Sequence, residues 1–184
     1  RAAGTTRGLT EQWDRSADGL VWASDSQALY GQIDDAASSR IYRFALAGGT
    51  PRPVTGASSF SGLDVAGRTA IALRQGFSEP ATLVRLDLAQ GTATKLSDFN
   101  DGALASLAMG KVESVTYKGA RGDPIQMWVI YPPDFDPAKK YPVYMLLHGG
   151  PHNGIQDAVT YRWNAHVFAN WGYIVTWHNF HGSS

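Results

Sequence analysis

The chain has 184 residues, enough for one domain or parts of two, and 43% of them are hydrophobic, so a packed core is expected and global disorder is not. Sixteen basic residues balance sixteen acidic ones, which argues against a broad electrostatic pull toward nucleic acid or anionic lipid. Without a cysteine the chain has no disulfide, thiolate metal site or cysteine nucleophile, and no apolar run approaches the length of a membrane span. It starts at Arg1 with no signal-peptide pattern and stops at "FHGSS", straight after a strand-like run; both ends read as cut, so a piece of a longer protein is expected.

The first half repeats itself. "ALYGQIDDAASSRIYRFALAGGTPRPVT" (28–55) lies over "AIALRQGFSEPATLVRLDLAQGTATKLS" (70–97) without a gap at an offset of 42, with six identities: Ala28/Ala70, Arg43/Arg85, Leu46/Leu88, Ala47/Ala89, Gly49/Gly91 and Thr50/Thr92. Each unit reads as strand, loop, strand, glycine turn and short strand. "TLVRLDLAQG" sets Leu86 and Leu88 against Arg85 and Asp87, the alternation of a half-buried strand, whereas "RIYRFALAGG" alternates only imperfectly. A period near 40 with about four short strands is that of a propeller blade. Two unrelated hairpins matching by chance is the plain alternative. "LTEQWDRSADGLVWASD" (9–25) then closes an earlier blade and opens the first full one, and further blades are expected upstream.

The grammar changes near Gly110, which divides the chain into 1–110, closing blades of a β-propeller, and 111–184, the start of an α/β sheet. "KVESVTYKG" (111–119) and "PIQMWVIYP" (124–132) read as a hairpin around an "ARGD" turn. A loop with four prolines follows at 132–142, and "VYMLLHG" (143–149) is apolar enough for a strand covered on both faces. In "DAVTYRWNAHVFANWG" (157–172), Val159, Trp163, Val167 and Trp171 recur every fourth residue, which predicts a helix with Asp157 as N-cap and Gly172 as its stop. "YIVTWHNF" (173–180) is a further strand, and the six tryptophans are expected mostly in the core and in helix–sheet packing.

In an α/β sheet, chemistry gathers at the carboxyl ends of the strands, and "HGGP" (148–151) sits at one. Glycine lets the backbone turn sharply and brings its N–H groups close to a ligand. In α/β-hydrolases the corresponding loop gives one backbone N–H to the oxyanion hole. His148, Gly149 and Gly150 are therefore the candidate catalytic residues, with Gly150 the first choice of donor, Gly149 the second, and Pro151 stiffening the turn. Two glycines making a tight turn is the plain alternative. Metal binding is disfavoured: Gly-Gly-Pro keeps His148 and His152 off one helical face, no HExxH glutamate is present, and His178 and His181 belong to a strand and its exit. The glycines also lack the GK[ST] ending of a phosphate loop. His166 reads as a packed or surface residue.

"GDPIQMWVIYPPDFDPAKKYPVYMLLHGGPH" and "FANWGYIVTWHNFHGSS" resemble the start of the catalytic domain of the prolyl oligopeptidase family, most closely its acylaminoacyl-peptidase and bacterial dipeptidyl-peptidase branch. The resemblance covers roughly 9–184 and implies a β-propeller followed by an α/β-hydrolase, an oligopeptide substrate admitted past the propeller, and "HGGP" as the oxyanion loop. Other branches place a tyrosine hydroxyl where this sequence has His148, so a backbone donor is expected here. His181 stands where the family commonly has arginine, which leaves that arginine's salt bridge in doubt. The family nucleophile is the serine of GxSxG; no such motif occurs here, and Ser183 and Ser184 in "HGSS" are poor candidates. The chain alone is expected to be inactive, with the rest of the same protein supplying the triad.

Two other functions stay open: a propeller-lidded esterase or amidase, and a propeller binding module without catalysis. No cofactor is implied. Asp34, Asp35 and Glu79 in blade loops could bind a substrate terminus, though solvated loop charge is the simpler expectation; Tyr161 and Trp163 could edge the cleft. The compartment is open, since bacterial relatives of this branch occupy both cytoplasm and periplasm.

Overall fold

The computed structural model describes Gly4, residues 6–150 and residues 152–183. Two four-stranded antiparallel sheets come first. β1 (Asp18–Trp22), β2 (Ala28–Asp35), β3 (Ser38–Ala45) and β4 (Arg52–Pro53) form one meander; β5 (Ser59–Ala66), β6 (Thr69–Gly76), β7 (Glu79–Asp87) and β8 (Thr92–Lys95) form the next. Each is a propeller blade. Residues 9–17 add no strand, so the expected end of an earlier blade is not there; β1 opens the first sheet.

The repeat is real, but its gapless alignment is one residue out on the first strand of each pair. Ala28 pairs with Ala45, whereas Asp87, 42 residues beyond Ala45, pairs with Thr69. The offset is thus 41 on β2/β6 and 42 on β3/β7. An irregularity between Arg74 and Gly76, opposite Glu79–Thr82, absorbs the extra residue. Because side chains alternate across a strand, that single residue changes which face Ala70 presents relative to Ala28.

Both blades feed one core: Ala28, Tyr30 and Ile41 from the first, and Ala70, Ala72, Val84, Leu86 and Leu88 from the second. β3 alternates poorly because it buries both faces. Ile41 enters the shared core, while Tyr42 and Phe44 pack with Ile33 under Trp13, whose ring lies 5.4 Å from each of theirs.

A short helix, α1 (Asp101–Ala105), precedes the third sheet, which comprises β9 (Val112–Lys118), β10 (Pro124–Ile130), β11 (Val143–Leu147) and β12 (Ile174–Asn179) in the order β11-β12-β10-β9. β9 and β10 are the expected hairpin; β11 runs parallel to β12. This is the opening of an α/β-hydrolase sheet.

Two expectations fail here. The helix α2 spans only Ala165–Asn170, because Asn164 is its N-cap, its side-chain oxygen accepting from the His166 N–H at 2.9 Å, and Trp163 before it holds a left-handed φ of +59°. Gly172 does end the turn, with φ +89°. The buried face is Ala165, His166 and Ala169, whose small alanines let the helix sit close on the sheet. Val167, Trp163 and Trp171 are exposed, as is Trp22, so half of the tryptophans lie outside the core. β11 is covered on one face only: Tyr144 stacks on Phe168 and Leu146 is buried, while Val143, Met145 and Leu147 face outward.

The blades dock on this sheet through equivalent hairpin turns. Ala37, between β2 and β3, and Phe77, between β6 and β7, enter the same core as Trp128, Ile130, Leu146 and Trp177. Asp157, expected as a helix cap, ties both turns to the chain that leads into α2. Its N–H donates to the Ala37 carbonyl at 2.9 Å, and its carboxylate accepts from the Phe77 N–H at 2.8 Å. Beside it the Ser78 hydroxyl meets His166 Nε2 at 3.0 Å. Burial raises the Asp157 pKa and lowers that of His166, favouring the neutral form of each.

Candidate active site

β11 and β12 pair in parallel with Leu147 opposite His178, so the segments leaving them emerge side by side at the carboxyl end of the sheet. One carries His148, Gly149 and Gly150; the other carries Asn179 through Ser183. Gly149 and Gly150 are exposed and His148 is half-buried. Among the described residues neither glycine N–H has a hydrogen-bond partner. Gly150 holds φ +135°, which side-chain-bearing residues rarely adopt, and a Cβ there would lie 2.9 Å from Asn153 Nδ2. At Gly149 a Cβ would meet nothing within 4 Å. Pro151, expected to stiffen this turn, lies outside the described residues.

His148 is fixed on three sides. Its ring stacks on Phe180 at 4.3 Å and 9°, Nε2 meets the Ser183 hydroxyl at 2.9 Å, and Nδ1 meets the Gly149 carbonyl at 3.1 Å. A proton on Nδ1 satisfies both polar contacts: Nδ1–H donates to the carbonyl and Nε2 accepts from Ser183. Asn179 holds the far side of the loop. Its side-chain oxygen accepts from the Ile155 N–H at 2.6 Å, and its amide donates to the Ile155 carbonyl at 3.1 Å, which Trp128 Nε1–H also reaches at 2.8 Å. Sequence reasoning missed Asn179, Ser183 and Asp157 in these parts. For Asn179 and Ser183 the available signal was "NFHGSS", the end of the stretch that carries the family resemblance, and both residues have partners here.

The other candidates disperse. His178 binds Tyr117 and Thr176 through its two ring nitrogens, and burial lowers its pKa. His181 Nδ1 lies 3.3 Å from Asp123, so the position that is commonly arginine still faces a carboxylate. Asp35 is committed to Arg40 at 2.8 Å and to the Tyr42 hydroxyl at 2.7 Å, and Glu79 to Arg74 at 3.0 Å. Asp34 instead borders a cavity of about 300 Å³ between the first blade and the loop after β12, shared with Arg15, Gln126, Phe180, Gly182 and Ser183. Desolvation there raises the Asp34 pKa, opposed by a hydrogen bond with Ser39. Tyr161 and Trp163 are exposed.

Propeller blades leading into a hydrolase sheet, with a glycine loop at the carboxyl end of its first parallel strand, define a propeller-bearing α/β-hydrolase. No model of a known protein family matches the chain. It is 37% identical over 147 residues to dipeptidyl-peptidase 5 of Porphyromonas endodontalis, covering 79% of this chain and 21% of that protein. To dipeptidyl-peptidase 5 of Porphyromonas gingivalis it is 31% identical over 182 residues, covering 98% and 27%. An acylaminoacyl peptidase in complex with Z-Gly-Gly-Phe-chloromethyl ketone shares its fold with a TM-score of 0.80 at 23% identity, over 98% of this chain and 28% of the other. Dipeptidyl peptidase 4 of P. gingivalis does so with a TM-score of 0.69 at 19% identity, over 97% and 26%. The chain belongs to the prolyl oligopeptidase family. It spans between a fifth and a third of the length of these relatives.

Proposed function

We propose that this chain is part of a serine peptidase that hydrolyses short peptides by acyl transfer, of the dipeptidyl- or acylaminoacyl-peptidase type. Its share of the site is half of the oxyanion hole. The Gly150 N–H is the principal donor, with that of Gly149 second, and the blades form one wall of the substrate chamber. Serine attack creates a tetrahedral oxyanion; the loop N–H stabilises that charge as it forms, and water then releases the acyl group. The triad comes from outside these 184 residues, which contain no GxSxG. The observation that carries this reading is the exposed Gly149–Gly150 pair at the carboxyl end of β11, whose N–H groups have no hydrogen-bond partner among the described residues.

The test compares the full-length protein with the isolated 184-residue chain on chromogenic dipeptidyl, N-acylaminoacyl and simple ester substrates, with fluorophosphonate labelling alongside. The full-length protein is expected to cleave the peptide substrates and to label at one serine, and the isolated chain to do neither. Cleavage of esters alone points to the esterase reading, and an unlabelled, inactive full-length protein to a binding module.

A further inference from the structure

The Gly149 carbonyl and the Gly150 N–H belong to one peptide unit. No cis peptide occurs among the described residues, so the two groups point in opposite directions. Whatever holds the carbonyl therefore aims the N–H. Between two glycines this unit has no side chain to resist a flip, and a donor of uncertain direction stabilises an oxyanion poorly. The carbonyl is held by His148 Nδ1 at 3.1 Å, and His148 is held by Ser183 at 2.9 Å and by the face of Phe180 at 4.3 Å.

A single turn delivers both outer contacts. The Ser183 N–H donates to the Phe180 carbonyl at 2.9 Å, and Gly182, third in the turn, has φ +93°. That is the type II pattern, which demands glycine at its third position. The turn places the Phe180 ring and the Ser183 hydroxyl on the same imidazole, and the parallel pairing of β11 with β12 brings that imidazole alongside.

We propose that Ser183 is a positioning residue: acting through His148, it fixes the Gly149–Gly150 peptide unit so that the Gly150 N–H faces the reacting carbonyl. The proposal rests on the peptidase reading above. Ser183 touches neither substrate nor nucleophile. Its hydroxyl donates to Nε2, keeps the proton on Nδ1, and so keeps the Gly149 carbonyl engaged.

The experiment uses the full-length protein with Ser183→Ala, Ser183→Thr, His148→Ala and the double variant Ser183→Ala/His148→Ala. Ser183→Ala is expected to lower kcat about tenfold, one hydrogen bond's worth, with KM within about twofold. Ser183→Thr, which keeps the hydroxyl, restores most of the rate. The double variant falls no further than His148→Ala alone, as two residues on one path require. Unchanged kcat in Ser183→Ala, or losses that add in the double variant, would overturn the proposal. ¹⁵N-histidine NMR of the same proteins reads the His148 tautomer without activity: Nδ1–H in wild type and Ser183→Thr, a tautomer mixture in Ser183→Ala. An inactive wild-type protein that still shows this shift sinks the peptidase reading and leaves the clamp standing; a tautomer untouched by Ser183→Ala sinks the clamp.

Discussion

Gly150 combines φ +135° with a crowded Cβ position, whereas Gly149 has neither constraint. A methyl group at 150 strains the backbone and pushes against Asn153, and both effects turn the peptide unit that carries the proposed donor. In the full-length protein, Gly150→Ala is expected to cost on the order of a hundredfold in kcat, within the range for losing one oxyanion donor, and Gly149→Ala far less. Steady-state kinetics on a dipeptidyl substrate check this; a larger loss at Gly149 would reverse the assignment of the two donors. The "HGGP" motif drew attention to these residues because glycines at the carboxyl end of a strand can bring backbone N–H groups close to a ligand. Ser183 was legible only as part of a pattern, because its role depends on a partner 35 residues away that no local periodicity reports.

At the scale of elements, Asp157 shows how tertiary contacts override local propensity. Its position before an apolar four-residue repeat reads as a helix cap, yet its N–H and carboxylate are both taken by blade turns, and the helix waits for Asn164. Most strands were legible, since alternation and apolar runs mark buried β structure whatever it packs on, but β5 was not read and the stretch 9–17 expected to end an earlier blade adds no strand. The helix was not: Val159, Trp163, Val167 and Trp171 share a helical face in sequence, but the chain before Asn164 is not helical and Val167, Trp163 and Trp171 face outward. Asp157→Ala leaves the Phe77 N–H without its acceptor and is expected to cost about 1–3 kcal/mol in chemical denaturation. Asp157→Asn keeps an oxygen there and should cost little. Burial raises the Asp157 pKa, so whatever stability the carboxyl group's folded environment lends its protonated form is present at low pH and lost as pH rises through the raised value. The Asn variant should lack that decline.

Across the whole molecule, two blades and one sheet are joined where the Ala37 and Phe77 turns enter the hydrolase core, next to the Asp157 and Ser78–His166 contacts. The period near 40 revealed the blades, although a one-residue bulge hid their true alignment on the first strand. Their docking was invisible in the sequence because it pairs turns with a core about 50–140 residues further on. This junction places the first blade beside the loop after β12, with the cavity bordered by Asp34, Phe180 and Ser183 between them. The most direct measurement is a crystal structure of the full-length protein with a peptidyl boronic acid on its nucleophile. The account predicts a boronate oxygen about 2.7–3.1 Å from the Gly150 nitrogen, with the Gly149 carbonyl still on His148. A boronate oxygen beyond hydrogen-bond distance of both glycine nitrogens would contradict it.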